Sequence, residues 1–290
     1  MGEMKEKAIR RMRLPPGWYP RNAAEIDGYL CDCLDKREGG ANAVIAPHAG
    51  WFFSGKLAAL ALSRLRKDAD TVIVSGGHLG AEAPVMFAEE DAICTPLGEM
   101  PVDGELRSVV KRNLLQAGLC CAPDNYTDNT VEVLLPAVHR LFPKASILWL
   151  RLGSGMRAAE AGRLIARAAA SLGRNVVMAG STDLTHYGPS YNFCPKGRGN
   201  AALEWVKTVN DRRFIEALTS GATEDIILER AVTERSACSA GAVLCALGFA
   251  SETRGAATSA RLLAYSTSAD VTGMPSASDS FVGYAAVEVC

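Results

Sequence analysis

Only four histidines occur in this 290-residue chain, and three of them stand in one context. His48 follows the apolar run "AVIA", His78 closes "TVIVSGGH", and His186 follows "NVVMAGSTDLT". Imidazole titrates near neutrality and is the commonest metal ligand, so its placement is chemically informative. Each preceding run is short, β-branched and apolar, the pattern of a strand buried on both faces. In open α/β sheets ligands sit beyond the carboxyl ends of the strands, so these three side chains are expected to share one rim. The fourth, His139, lies in the helical pattern "LLPAVHRLFP" and is given no role.

Two anionic candidates accompany the imidazoles. Asp183 precedes His186 by three residues in "GSTDLTHYG", a spacing that puts both on one face if the segment turns helically. The carboxylate then orients an imidazole, binds a cation or acts as a base; equally, it caps the following turn. In "ERSACSAGAVLCALGFA", Ser236 is expected as a helix N-cap and Cys238 in the first turn, where backbone N–H groups and the helix dipole favour a thiolate. Cys245, a heptad later, is expected in the core with Val243 and Leu247. Two imidazoles plus one anionic group hold a divalent metal while leaving positions open for substrate. With Asp183 the set resembles the facial triad of non-haem iron enzymes, and with Cys238 it suits iron, copper or zinc. Spacing does not choose between them.

Other signals are weaker. Trp51, Phe52 and Phe53 follow His48 and either line a pocket or pack. "GSGMR" lacks the length and the lysine of a phosphate loop, and no nucleophile elbow or dinucleotide fingerprint follows a strand. The nine cysteines form no paired CxxC ribbon: Cys31 and Cys33 make a lone CxC, Cys120 and Cys121 are adjacent, and Cys94, Cys194 and Cys290 stand apart. In a reducing compartment most are read as small buried hydrophobes.

The elements that must carry these residues alternate. Helices are expected over 23–34, 56–66, 103–117, 131–141, 158–172, 201–219 and about 237–247. Buried strands are expected at "ANAVIAP", "DTVIVSGGH", "ASILWLRL" and "RNVVMAGSTD", two edge strands within "APVMFAEEDAICTPLG", and two final strands at "ARLLAYST" and "SFVGYAAVEV". Such alternation predicts one α/β domain over 1–290, three-layered around a mainly parallel sheet, with 1–22 as a lead segment. A hydrophobic content of 48% fills a substantial core, and a net charge of -1 with scattered basic residues offers no field for nucleic acid or anionic membrane. The charged start lacks a signal peptide's apolar core and no run approaches a membrane span, so a cytoplasmic protein is expected.

These residues carry a family resemblance. "APHAGWFFSG" resembles the APHAGY-type signature of the Memo family, "SGGHLG" its second histidine position, "GSTDLTHYG" its S-S/T-D-F/L-S/T-H-Y stretch and "DSFVGYAAV" its C-terminal strand. "DNTVEVLLPAVHRLFP" is similar to the family's E-H-S-x-E-x-Q-L-P-x-L segment, and the match runs from about His48 to the end. In bacteria and archaea such proteins are described as protein B of the AmmeMemoRadiSam system. The resemblance implies a fold like that of LigB-type class III extradiol dioxygenases, with His48, His78 and Cys238 as metal ligands and Asp183 and His186 beside them. It also implies association with AMMECR1-like and radical SAM proteins. The chain departs from the pattern at Asn129, which stands where the family has histidine, while Glu132 is kept. Asn129 makes hydrogen bonds but shuttles no proton.

Three functions are weighed on this basis. The first is an iron-dependent, dioxygenase-like oxidoreductase, with Fe(II) as the expected ion and copper or zinc as alternatives. It acts on a small oxygenated substrate, with His186 as general acid/base, Asp183 holding its tautomer and Glu132 a further catalytic candidate. The second is a metal- or redox-sensing adaptor that binds a peptide or partner protein through the same pocket. The third is a zinc hydrolase, with Glu132 or Asp183 as its base, disfavoured because no Glu adjoins a histidine ligand as in H-E-x-x-H.

Overall fold

Valine, isoleucine and leucine crowd the runs expected as strands, and the computed structural model, which describes residues 7–31, 39–255, 259–272 and 279–289, lays those runs side by side. In chain order the strands are β1 (Ile9–Arg11), β2 (Ala43–Ala46), β3 (Thr71–Gly76), β4 (Val85–Phe87), β5 (Ala92–Thr95), β6 (Gly98–Pro101), β7 (Cys121–Pro123), β8 (Ser146–Arg151), β9 (Val176–Ser181), β10 (His186–Tyr187), β11 (Ala260–Thr267) and β12 (Phe281–Val289). A nine-stranded sheet has the order β10-β12-β2-β9-β3-β8-β4-β7, with β11 also paired to β12. At its centre β2, β9, β3 and β8 are mutually parallel, in registers such as Ala43 with Met178 and Thr71 with Val176 and Ser146. Their carboxyl ends therefore open on one edge.

Alternation along each strand divides the core. Ile45, Ile73, Leu148, Leu150 and Met178 pack on one face, under the helices Ala158–Ser171 and Ala240–Arg254. Val44, Val72, Val74, Trp149 and Val177 pack on the other, against the helices Lys56–Ser63 and Leu135–Leu141. Successive side chains of a strand point to opposite faces, so a sheet covered on both sides needs apolar residues at every position. The two helices of the first face meet almost backbone to backbone, since a Cβ on Gly162 would lie 2.0 Å from the Cys245 carbonyl oxygen. The result is the expected mixed α/β domain, a large, mostly parallel sheet flanked by helices.

Several elements differ from expectation. β4 is not an edge strand: Met86 and Phe87 pair with Arg151 and Leu150 while β7 covers its other side. β5 is the middle strand of a separate three-stranded sheet, between β6 and β1. The lead segment therefore contributes a strand, parallel to β5. The helix expected over 131–141 is two, Asn129–Glu132 and Leu135–Leu141. Pro136, in the first turn of the second, has no N–H to continue the ladder across the junction. The helix expected over 201–219 winds as Asn200–Trp205 and Asp211–Thr219 around a wider turn at Val206–Asn210. Helices Glu224–Thr233 and Ser268–Thr272 were not foreseen. The end of the helix expected to Leu34, and Cys33 and Cys290, lie outside the described residues. No helix among the described residues is long and apolar enough to cross a membrane.

Candidate metal centre

The parallel strands deliver the first two imidazoles. His48 stands two residues beyond β2 and is almost fully buried. Its Nδ1 is 2.9 Å from Ser181 Oγ, at the end of the neighbouring β9, and its backbone N–H donates to Asp183 Oδ1 at 2.7 Å. The Asn129 side chain donates to the His48 carbonyl at 2.9 Å, so strand end, backbone and ring are all held. His78, two residues beyond β3, adopts φ of 57°, the left-handed conformation that non-glycine residues rarely take. Such an outlier persists only where its surroundings enforce it. Gly77 permits the approach, since a Cβ there would sit 2.4 Å from Ser239 Oγ. His78 Nδ1 then lies 3.1 Å from Asp128 Oδ2, and Arg151 Nη1 lies 3.1 Å from that same oxygen.

Cys238 arrives from the opposite side. The helix expected to contain it begins only at Ala240, with Ser239 as its cap, and Ser236 Oγ instead donates to the Arg230 carbonyl at 2.7 Å. The residue therefore sits in the loop before the helix, its backbone N–H donating to the Asp183 carbonyl at 3.2 Å. Its sulfur is 3.2 Å from His48 Nε2, and one donor atom each from His48, His78 and Cys238 lie within 4.8 Å of one another. Metal–nitrogen and metal–sulfur bonds near 2.1 and 2.3 Å place the donors of a tetrahedral ion about 3.6 Å apart, so a small contraction closes the set. Each histidine spends its Nδ1 on an outer partner, Ser181 or Asp128, and keeps Nε2 for the cluster. Outer hydrogen bonds of this kind fix the ring and tautomer of metal-ligating histidines, so the donor set fits a divalent or soft cation.

The electrostatics follow the geometry. Burial would raise the Cys238 thiol, but the imidazoles of His48, His186 and His78 outweigh it and hold the thiol well below its ordinary range. Burial likewise opposes charge on His78, yet Asp128 and Cys238 pull it up to about 10. His48 is raised by Cys238 and Asp183 against its burial, and Asp183 is raised by its own burial despite the two nearby histidines.

The remaining sequence candidates separate. Asp183 Oδ2 lies 3.9 Å from His186 Nε2 and 4.0 Å from His48 Nε2, beyond hydrogen-bond reach, while its other oxygen holds the His48 backbone. It positions His48 through the backbone rather than fixing the His186 tautomer. His186 Nε2 is buried and makes no hydrogen bond. Glu132 does not join this group. Its carboxylate accepts from the Arg13 and Leu14 N–H groups and the Tyr19 hydroxyl, at 2.6 to 2.9 Å, and so fastens the N-terminal segment. His139, outside the cluster as expected, lies 2.7 Å from Thr95 Oγ1. Asp128 and Arg151 were missed as supports of His78, although Asp128 was visible as an N-cap before Asn129.

A cavity of about 800 Å³ opens over His78, Asp183 and His186, walled by Trp18, Phe52 and Tyr191 among others. Phe52 and Phe53 thus line a pocket, whereas Trp51 is buried in the core.

The profile of a family described as Memo-like protein matches residues 10–288. A MEMO1 family protein of Pyrococcus abyssi is 31% identical over 253 residues, covering 84% of each chain. One of Methanosarcina barkeri is 32% identical over 288 residues, covering 97% of this chain and all of its own. Among solved structures, an uncharacterized protein from Escherichia coli K12 aligns at 13% identity with a TM-score of 0.46, over 84% of this chain and 99% of that one.

Proposed function

The chain belongs to the family of Memo-like proteins, and from that membership and the donor cluster we propose that it is a metal-dependent oxidoreductase of the cytosol, acting with Fe(II) on a small oxygen-bearing molecule. The observation that carries the reading is the convergence of His48, His78 and Cys238 beside an open cavity that His186, whose Nε2 makes no hydrogen bond, also lines. A ferrous ion so held supplies Lewis acidity toward a substrate oxygen and an electron for dioxygen. The protein's own groups do the rest. His186 takes a proton from the substrate hydroxyl and returns it later. Asp183, 3.9 Å away, stabilises the imidazolium that forms. Asn129, at the cavity wall, donates to the His48 carbonyl and moves no proton, so the acid/base work falls to His186. Glu132 is withdrawn from the chemistry by its bonds to the N-terminal segment, which removes one of the two carboxylates considered as base for a zinc hydrolase.

The test is anaerobic loading with Fe(II), then oxygen uptake with a panel of catechols. Uptake above buffer that is lost in His186→Gln, with metal content unchanged, is expected; no uptake with any catechol overturns the reading. Elemental analysis of protein isolated without added metal separates iron from copper and zinc.

A second reading, a redox-sensing adaptor, draws on the thiolate ligand, which oxidises more readily than a carboxylate, and on Phe52 exposed at the cavity mouth. On that reading the metal-loaded protein retains a peptide or protein partner, AMMECR1-like and radical SAM proteins included. A pull-down that retains none, with or without metal, excludes it.

A further inference from the structure

His78 keeps a left-handed backbone that costs a non-glycine residue energy, and the groups that hold it there form a column reaching from the metal centre into the core. The residue before it is fastened on both sides. The Gly77 N–H donates to Thr130 Oγ1 at 3.2 Å, and the Gly77 carbonyl accepts from Arg151 Nη1 at 3.2 Å. That carbonyl shares one rigid peptide plane with the His78 nitrogen, so the bond from Arg151 fixes the plane from which the φ of His78 is turned. The same Nη1 lies 3.1 Å from Asp128 Oδ2, the oxygen that meets the His78 ring, while Asp128 Oδ1 accepts from the Thr130 N–H at 2.8 Å. One guanidinium nitrogen thus holds both the backbone and the ring of a metal donor.

Arg151 is itself clamped. It is the last residue of β8, paired with Gly76 on β3 and Met86 on β4, and it is buried. Its Nε and Nη2 grip the two oxygens of Asp124 at 2.9 and 3.0 Å, a two-pronged pairing that a guanidinium makes and an ammonium does not. Asp124 is wholly buried; Trp149 Nε1 donates to its Oδ2 at 2.8 Å, and its carbonyl accepts from the Arg10 guanidinium on β1. A buried charge is retained only where it is paired, and Asp124 alone meets that condition for Arg151. The remaining nitrogen of the fork meets the two groups that govern His78. We propose that Arg151, locked by Asp124, is a positioning residue of the metal centre: it keeps His78 in its left-handed conformation with the ring presented to His48 and Cys238, and so sets metal affinity without touching the metal. The proposal rests on the metal-centre reading above and adds the device that holds one of its donors.

The test is a double-mutant cycle on Zn(II) affinity, read by calorimetry. Arg151→Lys keeps the charge and loses the fork. It is expected to lower affinity about 10- to 100-fold in the otherwise unmodified protein, as loss of an outer support does. In the His78→Ala background, where no ring is left to position, the same change is expected to cost less than about twofold. Asp124→Asn, which removes one prong and keeps the shape, is expected to follow the same pattern with a smaller loss, and it carries the cycle if Arg151→Lys does not fold. Unchanged affinity in a folded variant, or equal losses with and without His78, overturns the proposal and leaves Arg151 a general support of the fold. NMR of the metal-free protein supplies a readout that needs no metal: the His78 ring and amide signals are expected to shift in Arg151→Lys while those of His139 stay in place. Unmoved His78 signals in a protein that binds Zn(II) overturn the proposal alone, whereas failure of the unmodified protein to bind Zn(II) or Fe(II) overturns the metal-centre reading and the proposal with it.

Discussion

His48 and His78 each have one nitrogen tied down and one directed at Cys238, and this division of labour gives the sharpest expectations at the residue scale. His48→Ala and Cys238→Ala are expected to lower metal affinity severely, because each removes a donor, while His139→Ala leaves it unchanged. Titration calorimetry with Zn(II) or Fe(II) reads all three, and equal affinity in all would refute the ligand set. Asp128→Asn tests the outer support: the partner of His78 Nδ1 loses its charge while the shape is kept. Loss of such an outer partner costs roughly 10- to 100-fold in metal affinity, and that range is expected here. An unchanged affinity would mean that Asp128 serves only as the cap of the turn at Thr130.

At the scale of elements, the described part of the N-terminal segment forms a wall of the cavity. β1 pairs with β5, the Trp51 N–H donates to the Trp18 carbonyl at 2.8 Å, and Pro16, Gly17 and Trp18 line the cavity. Glu132 fastens this segment by accepting from Arg13, Leu14 and Tyr19. Glu132→Ala leaves buried donors unpaired, each costing about 1–3 kcal/mol. The expected outcome is a lowered melting temperature and weakened binding of cavity ligands, with metal affinity close to that of the unmodified protein. A fall in metal affinity as steep as that of His48→Ala would show that Glu132 supports the metal centre as well as the N-terminal segment.

Across the whole molecule, Asp211 joins separate regions. It accepts from the Thr185 N–H at 3.0 Å and from the Tyr265 hydroxyl on β11 at 2.7 Å. Full burial pushes its carboxyl up to about 6, against hydrogen bonds that pull it down. A carboxyl raised in the folded state contributes stability that is fully present below its unfolded value, near 3.8, and lost as the pH rises through about 6. Asn at this position keeps the hydrogen-bonding shape without titrating. The stability of Asp211→Asn relative to the unmodified protein is therefore expected to be greatest near neutral pH. It should decline by up to ~3 kcal/mol as the pH falls towards 4, read by denaturant unfolding at each pH. A pH-independent difference would show that the fold does not raise the Asp211 carboxyl.

Much of this protein is legible from residue order alone, because strand and helix periodicity are local properties. The runs around Val72, Leu148 and Val177 announce buried parallel strands, and parallel neighbours necessarily open their carboxyl ends on one edge, which places His48 and His78 together. Local patterns also misled. Cys238 reads as a residue of the first helical turn, yet it stands before the helix, where the imidazoles of His48, His186 and His78 hold its thiol well below the ordinary range against its burial. Glu132 reads as a reactive carboxylate until the N-terminal segment folds across it. The approach of Cys238 to both histidines and the support of His78 by Asp128 depend on which distant loops meet. Such meetings are fixed by the packing of both sheet faces at once, and no window of consecutive residues contains them.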